Sequence, residues 1–157
     1  MQIKESLILS SIAIIGFGNI GRRHFQGMNV SKKLYEIHIV DVIIKEILDS
    51  TDRKDLFSKH NLFYHHSIKS LPKYLETVII STTAVSRCNT IIELLNHSNV
   101  KYLILEKIVF QKVSDFNLIS SIIEAKHVSV WVNCPQRVNS FYKNLQKELK
   151  DSSLKLI

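Results

Sequence analysis

The chain has 157 residues, of which 45% are hydrophobic and 22% charged, and its formal net charge is +7. This length and balance are typical of one globular domain that needs neither a disulfide nor a metal for stability. No apolar run approaches the roughly 18–20 residues of a membrane span, and the first residues lack the pattern of a signal peptide. Two cysteines far apart in sequence favour free thiols in a reduced, cytoplasmic protein.

Predicted strands alternate with predicted helices along the whole chain. The predicted strands are Ser11–Gly16, Tyr35–Asp41, Leu62–Tyr64, Thr77–Ser81, Lys101–Glu106, Ser129–Asn133 and the start of another at Leu154–Ile157. The predicted helices are Asn19–Asn29, Ile43–Lys59, a helical turn near Pro72, Arg87–His97, a helix that Ser114 or Asp115 caps and that ends near Lys126, and Asn139–Lys150. This alternation predicts a Rossmann-type α/β fold, a doubly wound parallel sheet with helices on both faces.

A glycine-rich turn follows the first predicted strand. Gly16, Gly18 and Gly21 have the spacing G-x-G-x-x-G. Gly16 permits the tight turn, Gly18 lets the backbone approach a dinucleotide's phosphates, and Gly21 lets the helix pack closely on the strand. The N–H groups at the start of that helix face the pyrophosphate. The turn as a whole is therefore predicted to bind the cofactor through Gly16, Phe17, Gly18, Asn19, Ile20 and Gly21.

A carboxylate ends the second predicted strand. Asp41 lies 20 residues after Gly21, about where a dinucleotide-binding domain carries the acid that binds the adenosine ribose. Its negative charge disfavours the 2′-phosphate of NADP, and Val42 supplies no positive charge beside it. The sequence therefore predicts NAD as the preferred cofactor and NADP as the alternative. A turn without a ligand, with Asp41 as a helix cap, remains the other interpretation.

Hydroxyl residues follow the fourth predicted strand. Because the carboxyl ends of parallel strands form the edge where ligands bind, Ser81, Thr82 and Thr83 are predicted to contact the adenine ribose and the pyrophosphate. The alternative is that they cap the following helix, and both interpretations are compatible.

Further polar residues end the fifth and sixth predicted strands. Glu106 and Lys107 lie at the same ligand-binding edge. A lysine there is able to assist proton transfer if its surroundings lower its pKa. Asn133 and Gln136 follow the sixth strand and are predicted to face the nicotinamide.

Three segments together resemble the N-terminal half of the glucose–fructose oxidoreductase / inositol dehydrogenase (Gfo/Idh/MocA) family. GFGNIGRRH resembles the family's opening turn, Glu106-Lys107 resembles its E-K-P motif, and VNCPQRVNSFYKNL resembles the segment that leads into its substrate domain. The resemblance implies an NAD(P)-dependent oxidoreductase that acts by hydride transfer on a sugar or polyol-like alcohol. It implies Lys107 as the catalytic residue, in contact with the substrate hydroxyl and the nicotinamide region of the cofactor, and Glu106 near the nicotinamide ribose. Arg87 lies near a position where many members carry histidine.

The resemblance also divides the chain. It implies a dinucleotide-binding domain over residues 1–133, and a connecting helix with the start of a substrate domain over residues 134–157. The rest of the family's α+β substrate domain is absent from this chain, so we expect the chain by itself to be inactive. A non-catalytic dinucleotide-binding or partner-binding module is the alternative. Ile108 replaces the proline of E-K-P, and since a cis bond before a non-proline residue costs roughly 2.5–4 kcal/mol, a trans bond is predicted.

Other partners lack a motif in this sequence. The basic residues are spread over several segments without the aromatic-basic pattern of an RNA-binding domain. His60, His65 and His66 flank a strand and have no nearby cysteine at the spacing of a zinc site. We therefore predict no metal, no nucleic acid and no membrane as partners. Self-association remains open, because apolar surface that packs on a second domain would be exposed here.

Overall fold

The computed structural model describes residues 9–50, 58–135 and 139–151. Within them, the strands are β1 (Ser10–Ile15), β2 (Tyr35–Val40), β3 (Asn61–His65), β4 (Tyr74–Ile80), β5 (Asn99–Glu106) and β6 (Ser129–Asn133). The α-helices are α1 (Asn19–Asn29), α2 (Ile44–Ser50), α3 (Ala84–His97), α4 (Val113–Ala125) and α5 (Ser140–Asp151). A short 3₁₀ turn at Ile68–Ser70 precedes β4.

The strands form one parallel sheet in the order β3-β2-β1-β4-β5-β6. Ile15, the last residue of β1, is in register with Val40 of β2 and Ile80 of β4, so the carboxyl ends of these strands form one edge. The strand order reverses between β1 and β4, which is where doubly wound sheets bind ligands. This topology confirms the predicted Rossmann-type fold.

Two apolar cores lie on the two faces of the sheet. On one face, Phe25 of α1 and Ile44 and Ile47 of α2 pack against the strands β1 and β2. On the other face, α3 and α4 pack against β4 and β5 through Ile91 and Ile119. Strands buried on both faces are apolar where helices cover them, and in β1, which reads SSIAII, the last four residues are both apolar and buried.

Some element boundaries differ from the predicted ones. The helix predicted to reach Lys59 is described over Ile44–Ser50, residues 51–57 lie outside the described residues, and residues 58 and 59 are not helical. Ser58 instead bonds the side chain of Asn29 at 2.7 Å and accepts from the N–H of His60, so local side-chain bonds compete with helix formation.

The predicted start of α4 and the helical turn near Pro72 are also wrong in detail. Lys112 occupies the N-cap position of α4, and Ser114 and Asp115 lie inside its first turn. The negative charge of Asp115 there stabilises the helix, because it lies near the positive end of the helix dipole. The helical turn lies before Pro72, where the Ser67 hydroxyl accepts from the N–H of Lys69. The strand predicted at Leu154–Ile157 falls outside the described residues. In the described ranges, no helix combines the length and apolarity needed to cross a membrane.

Two histidines pair on neighbouring strands. His38 Nδ1 lies 3.0 Å from His65 Nε2, and the His38 ring stacks on Phe63 with a centroid distance of 4.8 Å. Burial, with the nearby His65, lowers the pKa of His38 to about 4, and burial also lowers the pKa of His65. His60 Nε2 lies 3.1 Å from the carbonyl oxygen of Met28.

Among the residues described, no three His, Cys, Asp or Glu side chains are grouped to hold a metal.

We expect the protein to lose stability as the pH falls from 6.5 toward 4, the interval between the unfolded and folded pKa of His38. In this interval the unfolded chain binds more protons than the folded chain, so the free energy of unfolding rises with pH. Urea midpoints at two pH values near the ends of the interval measure the loss. It should be smaller in His38→Phe, which keeps an apolar ring in the stack, than in wild type. The exposed His66→Gln is the control, and equal losses in all three proteins would refute the prediction.

Candidate functional site

The turn between β1 and α1 depends on two of its glycines for its shape. Gly16 has φ +89°, a conformation that side chains rarely adopt, and a Cβ there would lie 2.9 Å from the backbone nitrogen of Thr82. A Cβ on Gly21 would lie 2.1 Å from the carbonyl oxygen of Gly16. The start of α1 is therefore in direct backbone contact with the turn, and the turn packs on the loop after β4.

Gly18 differs from both neighbours. It occupies the N-cap position of α1, and a Cβ there would meet no atom within 4 Å. No side chain caps the helix, whose first backbone bond runs from the N–H of Arg22 to the oxygen of Gly18. The first N–H groups of a helix have no partner inside it. The space beside Gly18 and these N–H groups fit a phosphate that approaches the backbone.

Asp41 faces this turn. Its Oδ2 accepts a hydrogen bond from the backbone N–H of Phe17 at 2.7 Å, and its Oδ1 accepts from the N–H of Ile43 at 3.1 Å. A carboxylate offers about four acceptor positions, so about two remain for other donors. Asp41 therefore stabilises the turn before α2, as the cap interpretation expects, and keeps acceptor capacity for hydroxyl groups.

A first cleft of about 370 Å³ opens beside Asp41, with Gly16, Ser67 and Thr82 among its lining residues. The Phe17 ring is fully buried against Phe25, so Phe17 faces the core rather than this cleft.

The three hydroxyl residues after β4 have different surroundings. Ser81 Oγ donates to the carbonyl oxygen of Gly16 at 2.7 Å, which ties this loop to the glycine turn. Thr82 Oγ1 is buried without a hydrogen-bond partner among the described residues. Thr83 occupies the N-cap position of α3, but its side chain makes no cap bond. Thr83 is thus the N-cap residue, as the alternative interpretation expects, but its hydroxyl does not cap the helix.

A second cleft of about 370 Å³ lies on the other side of the turn. Ile20 and Arg23 of α1 line it with Lys107, Glu106 and Asn133. Lys107 is exposed at its edge, directly after β5. The glycine turn therefore separates two clefts at the carboxyl edge of the sheet, and the predicted residues Ile20, Glu106, Lys107 and Asn133 meet in the second one.

The buried carboxylate of Glu106 organises this cleft. His24 Nε2 lies 2.6 Å from Glu106 Oε1, and Asn133 Nδ2 donates to the same oxygen at 2.6 Å. His24 comes three residues after Gly21, on the same side of α1, and this spacing was the available signal for its position in the site. Gln136, also predicted here, lies outside the described residues.

Arg87, like His24, is a residue that sequence reasoning did not place in the site. Arg87 is 2% exposed, and its guanidinium donates from Nη1 to the carbonyl oxygens of Glu106 at 2.6 Å and of Val109 at 3.0 Å. Nη1 also donates to the oxygen of Ile108, and Nη2 donates to that of Thr82. Burial lowers the pKa of Arg87, and the negative charge of Glu106 opposes this effect.

The bond between Lys107 and Ile108 is cis, so the predicted trans bond is wrong. That prediction considered only the local cost of a cis bond. It left out the contacts of this segment with α3, where Arg87 donates to the carbonyl oxygens of Glu106, Ile108 and Val109.

Fold and site define a Rossmann-type domain with a glycine turn, an acid after β2 and a Glu-Lys pair after β5. Neither a protein-family model nor a curated protein matches the sequence. Solved structures do match the fold. Apo scyllo-inositol dehydrogenase from Lactobacillus casei is 14% identical with a TM-score of 0.70, over 91% of this chain and 41% of the other.

Two further structures extend the comparison. The WlbA dehydrogenase from Chromobacterium violaceum, solved with NADH and UDP-GlcNAcA, is 16% identical with a TM-score of 0.73, over 91% of this chain and 40% of the other. The transcriptional regulator Gal80p from Kluyveromyces lactis is 19% identical with a TM-score of 0.73, over 91% of this chain and 37% of the other. The chain thus spans about 40% of the length of these structures, and the likeness shows that it shares the fold of the N-terminal domain of Gfo/Idh/MocA-type oxidoreductases, as the motifs predicted.

Proposed function

We propose that this chain is the nicotinamide-dinucleotide-binding domain of an oxidoreductase that acts on the C–OH group of a sugar or polyol-like alcohol. The observation that carries the proposal is the glycine turn at the switch point of the sheet, with the Asp41 carboxylate 2.7 Å from the Phe17 nitrogen. The structural likeness to an inositol dehydrogenase and to a dehydrogenase solved with NADH supports it.

The two clefts suit the two halves of a dinucleotide. Asp41 and Thr82 would hold the adenosine ribose in the first cleft, and the N–H groups beside Gly18 would bind the pyrophosphate. The second cleft would take the nicotinamide. The bound cofactor supplies the hydride chemistry. Lys107 would hold or release the proton of the substrate hydroxyl at its Nζ, while Glu106 fixes the side chains of its own cleft.

The proposed domain organisation assigns residues 1–133 to the dinucleotide-binding domain and residues 134–157 to a connecting segment. α5 supports it, because Phe141 is 65% exposed and Tyr142 and Leu145 are exposed beside it. Apolar side chains at this spacing form one helix face that is suited to pack on another domain. The same exposed face is compatible with self-association, the alternative predicted from the sequence.

Asp41→Ala should weaken NAD binding about tenfold while NADP binding stays unchanged or improves, because the lost carboxylate accepts from ribose hydroxyls and repels a 2′-phosphate. Calorimetric titration of wild type and variant with each dinucleotide measures this. Asp49→Ala, which removes an exposed acid from α2, is the control. A general loosening of the turn would weaken both dinucleotides equally, so an unchanged NAD-to-NADP ratio would contradict the role of Asp41. No binding of either dinucleotide to wild type would overturn the proposed function.

A non-catalytic dinucleotide-binding or partner-binding module is the second candidate. The observation that favours it is the likeness to Gal80p, which is described as a transcriptional regulator. A dinucleotide-binding module and the oxidoreductase domain both predict dinucleotide binding, so binding alone does not separate these two. They are separated by an assay for NADH formation from inositol and simple sugars, run on the longest natural chain that contains this sequence. Turnover supports the oxidoreductase, and binding without turnover supports the module.

A further inference from the structure

Arg87 connects two loops that belong to different clefts. It lies in the first turn of α3, and its Nη2 donates to the carbonyl oxygen of Thr82, in the loop after β4. Its Nη1 donates to the carbonyl oxygens of Glu106, Ile108 and Val109, in the loop after β5. Thr82 lines the first cleft and Glu106 lines the second. One side chain therefore bridges the two loops.

The place of this guanidinium is unfavourable for the helix that carries it. A positive charge in the first turn opposes the helix dipole, and burial removes the charge from water. Among the described residues, only carbonyl oxygens accept from it, and Nε has no partner. The acceptors of Arg87 lie in the two loops, at Thr82 and at Glu106, Ile108 and Val109, and none of them lies in α3. The buried charge of Arg87 is unfavourable for α3, while its hydrogen bonds connect two loops that face the clefts. A local cost of this kind indicates a role in the site.

We propose that Arg87 is a positioning residue that fixes the Glu106–Lys107 segment of the second cleft relative to the Thr82 loop of the first. The inference rests on the proposed function, since it gives the two clefts to two halves of one dinucleotide. A ligand that spans both clefts requires a fixed separation, whereas a ligand confined to the first cleft does not. The planar fork of arginine reaches carbonyl oxygens on both sides, which the single ammonium group of lysine does not reproduce.

Two ligands separate the contributions of the two clefts. ADP carries the adenosine and both phosphates and reaches only the first cleft and the turn, whereas NADH also fills the second cleft. The dissociation constant of ADP divided by that of NADH therefore measures how much the second cleft adds to the affinity. In Arg87→Lys we expect this ratio to fall about tenfold, with ADP affinity changed by less than about threefold. Calorimetric titrations of both proteins at a temperature where both are folded measure the ratio.

A structural control and a ligand-free readout keep the test specific. Leu94→Ala removes a fully buried side chain from the same helix, and the hydrogen bonds of Arg87 to the two loops stay in place. If Arg87 acts through those bonds, Leu94→Ala lowers the melting temperature and leaves the ratio unchanged. The backbone amide signals of Lys107 and Val109 in ¹H–¹⁵N spectra should shift in Arg87→Lys and keep their positions in Leu94→Ala.

Each outcome decides between the alternatives. A lowered ratio and shifted amide signals in Arg87→Lys alone support the positioning role. An unchanged ratio in Arg87→Lys overturns it, and so does an equal fall of the ratio in Leu94→Ala, which would indicate a merely structural effect. A wild-type chain that binds neither ADP nor NADH overturns the proposed function and this inference with it. Wild-type binding with an unchanged ratio in the variant overturns this inference alone.

Discussion

Replacing Gly21 with alanine is expected to lower the free energy of unfolding by about 3 kcal/mol, the upper end of the usual cost of an overpacked site. The added Cβ would lie 2.1 Å from the carbonyl oxygen of Gly16 and 3.0 Å from Ser81 Oγ. The first of these is a backbone atom, and Gly16 is itself held at φ +89° between β1 and the Thr82 loop. Relief therefore requires α1 to move away from the sheet, which separates Phe25 from its core.

The same helix contains a matched control. A Cβ on Gly27 would meet no atom within 4 Å, and Gly27 lies in the interior of α1. Gly27→Ala should therefore raise the free energy of unfolding by about 0.5–1 kcal/mol, the difference between alanine and glycine in a helix. Urea unfolding of the two variants and wild type measures both effects. Equal changes in the two variants would show that the backbone contact at Gly21 is unimportant.

Local sequence patterns predict much of this fold, because the residues that form each pattern are close together in the sequence. The apolar residues of β1, the glycine spacing and the acid at Asp41 lie within one β-α-β unit, where period and turn chemistry are read from neighbouring residues. The positions of Glu106 and Lys107 followed from one topological rule, that parallel strands end at one edge.

Contacts between distant segments account for what the sequence did not predict. His24 and Glu106 are 82 residues apart, and Arg87 reaches carbonyl groups 19 to 22 residues away. A lone arginine in a helix reads as a solvated charge, because nothing in its neighbours shows that the helix buries it. The pairing of His38 with His65 across 27 residues has the same cause, since it depends on strand register.

Of the three glycines of the turn, two are needed for the stability of the fold and the third is expected to matter for binding. Gly16 and Gly21 are required by protein atoms, which lie within 2.9 Å and 2.1 Å of where their Cβ atoms would be. Gly18 is required by no protein atom within 4 Å. No described protein atom therefore excludes a side chain at position 18, whereas a phosphate that approaches the backbone would.

Gly18→Ala should therefore reduce NAD affinity at least a hundredfold, about 2.7 kcal/mol, and change the free energy of unfolding by less than about 1 kcal/mol. Its φ of −72° and extended ψ are accessible to alanine, so the fold tolerates the methyl group. That group would occupy the space a phosphate needs to reach the N–H groups of the first turn. Titration with NAD and urea unfolding of the same preparation measure both effects. Gly27→Ala, which adds the same methyl group to the same helix at another site, should bind NAD as wild type does. If Gly18→Ala also bound NAD normally, the pyrophosphate would not lie against this turn, and the proposed cofactor site would be wrong even though the fold is right.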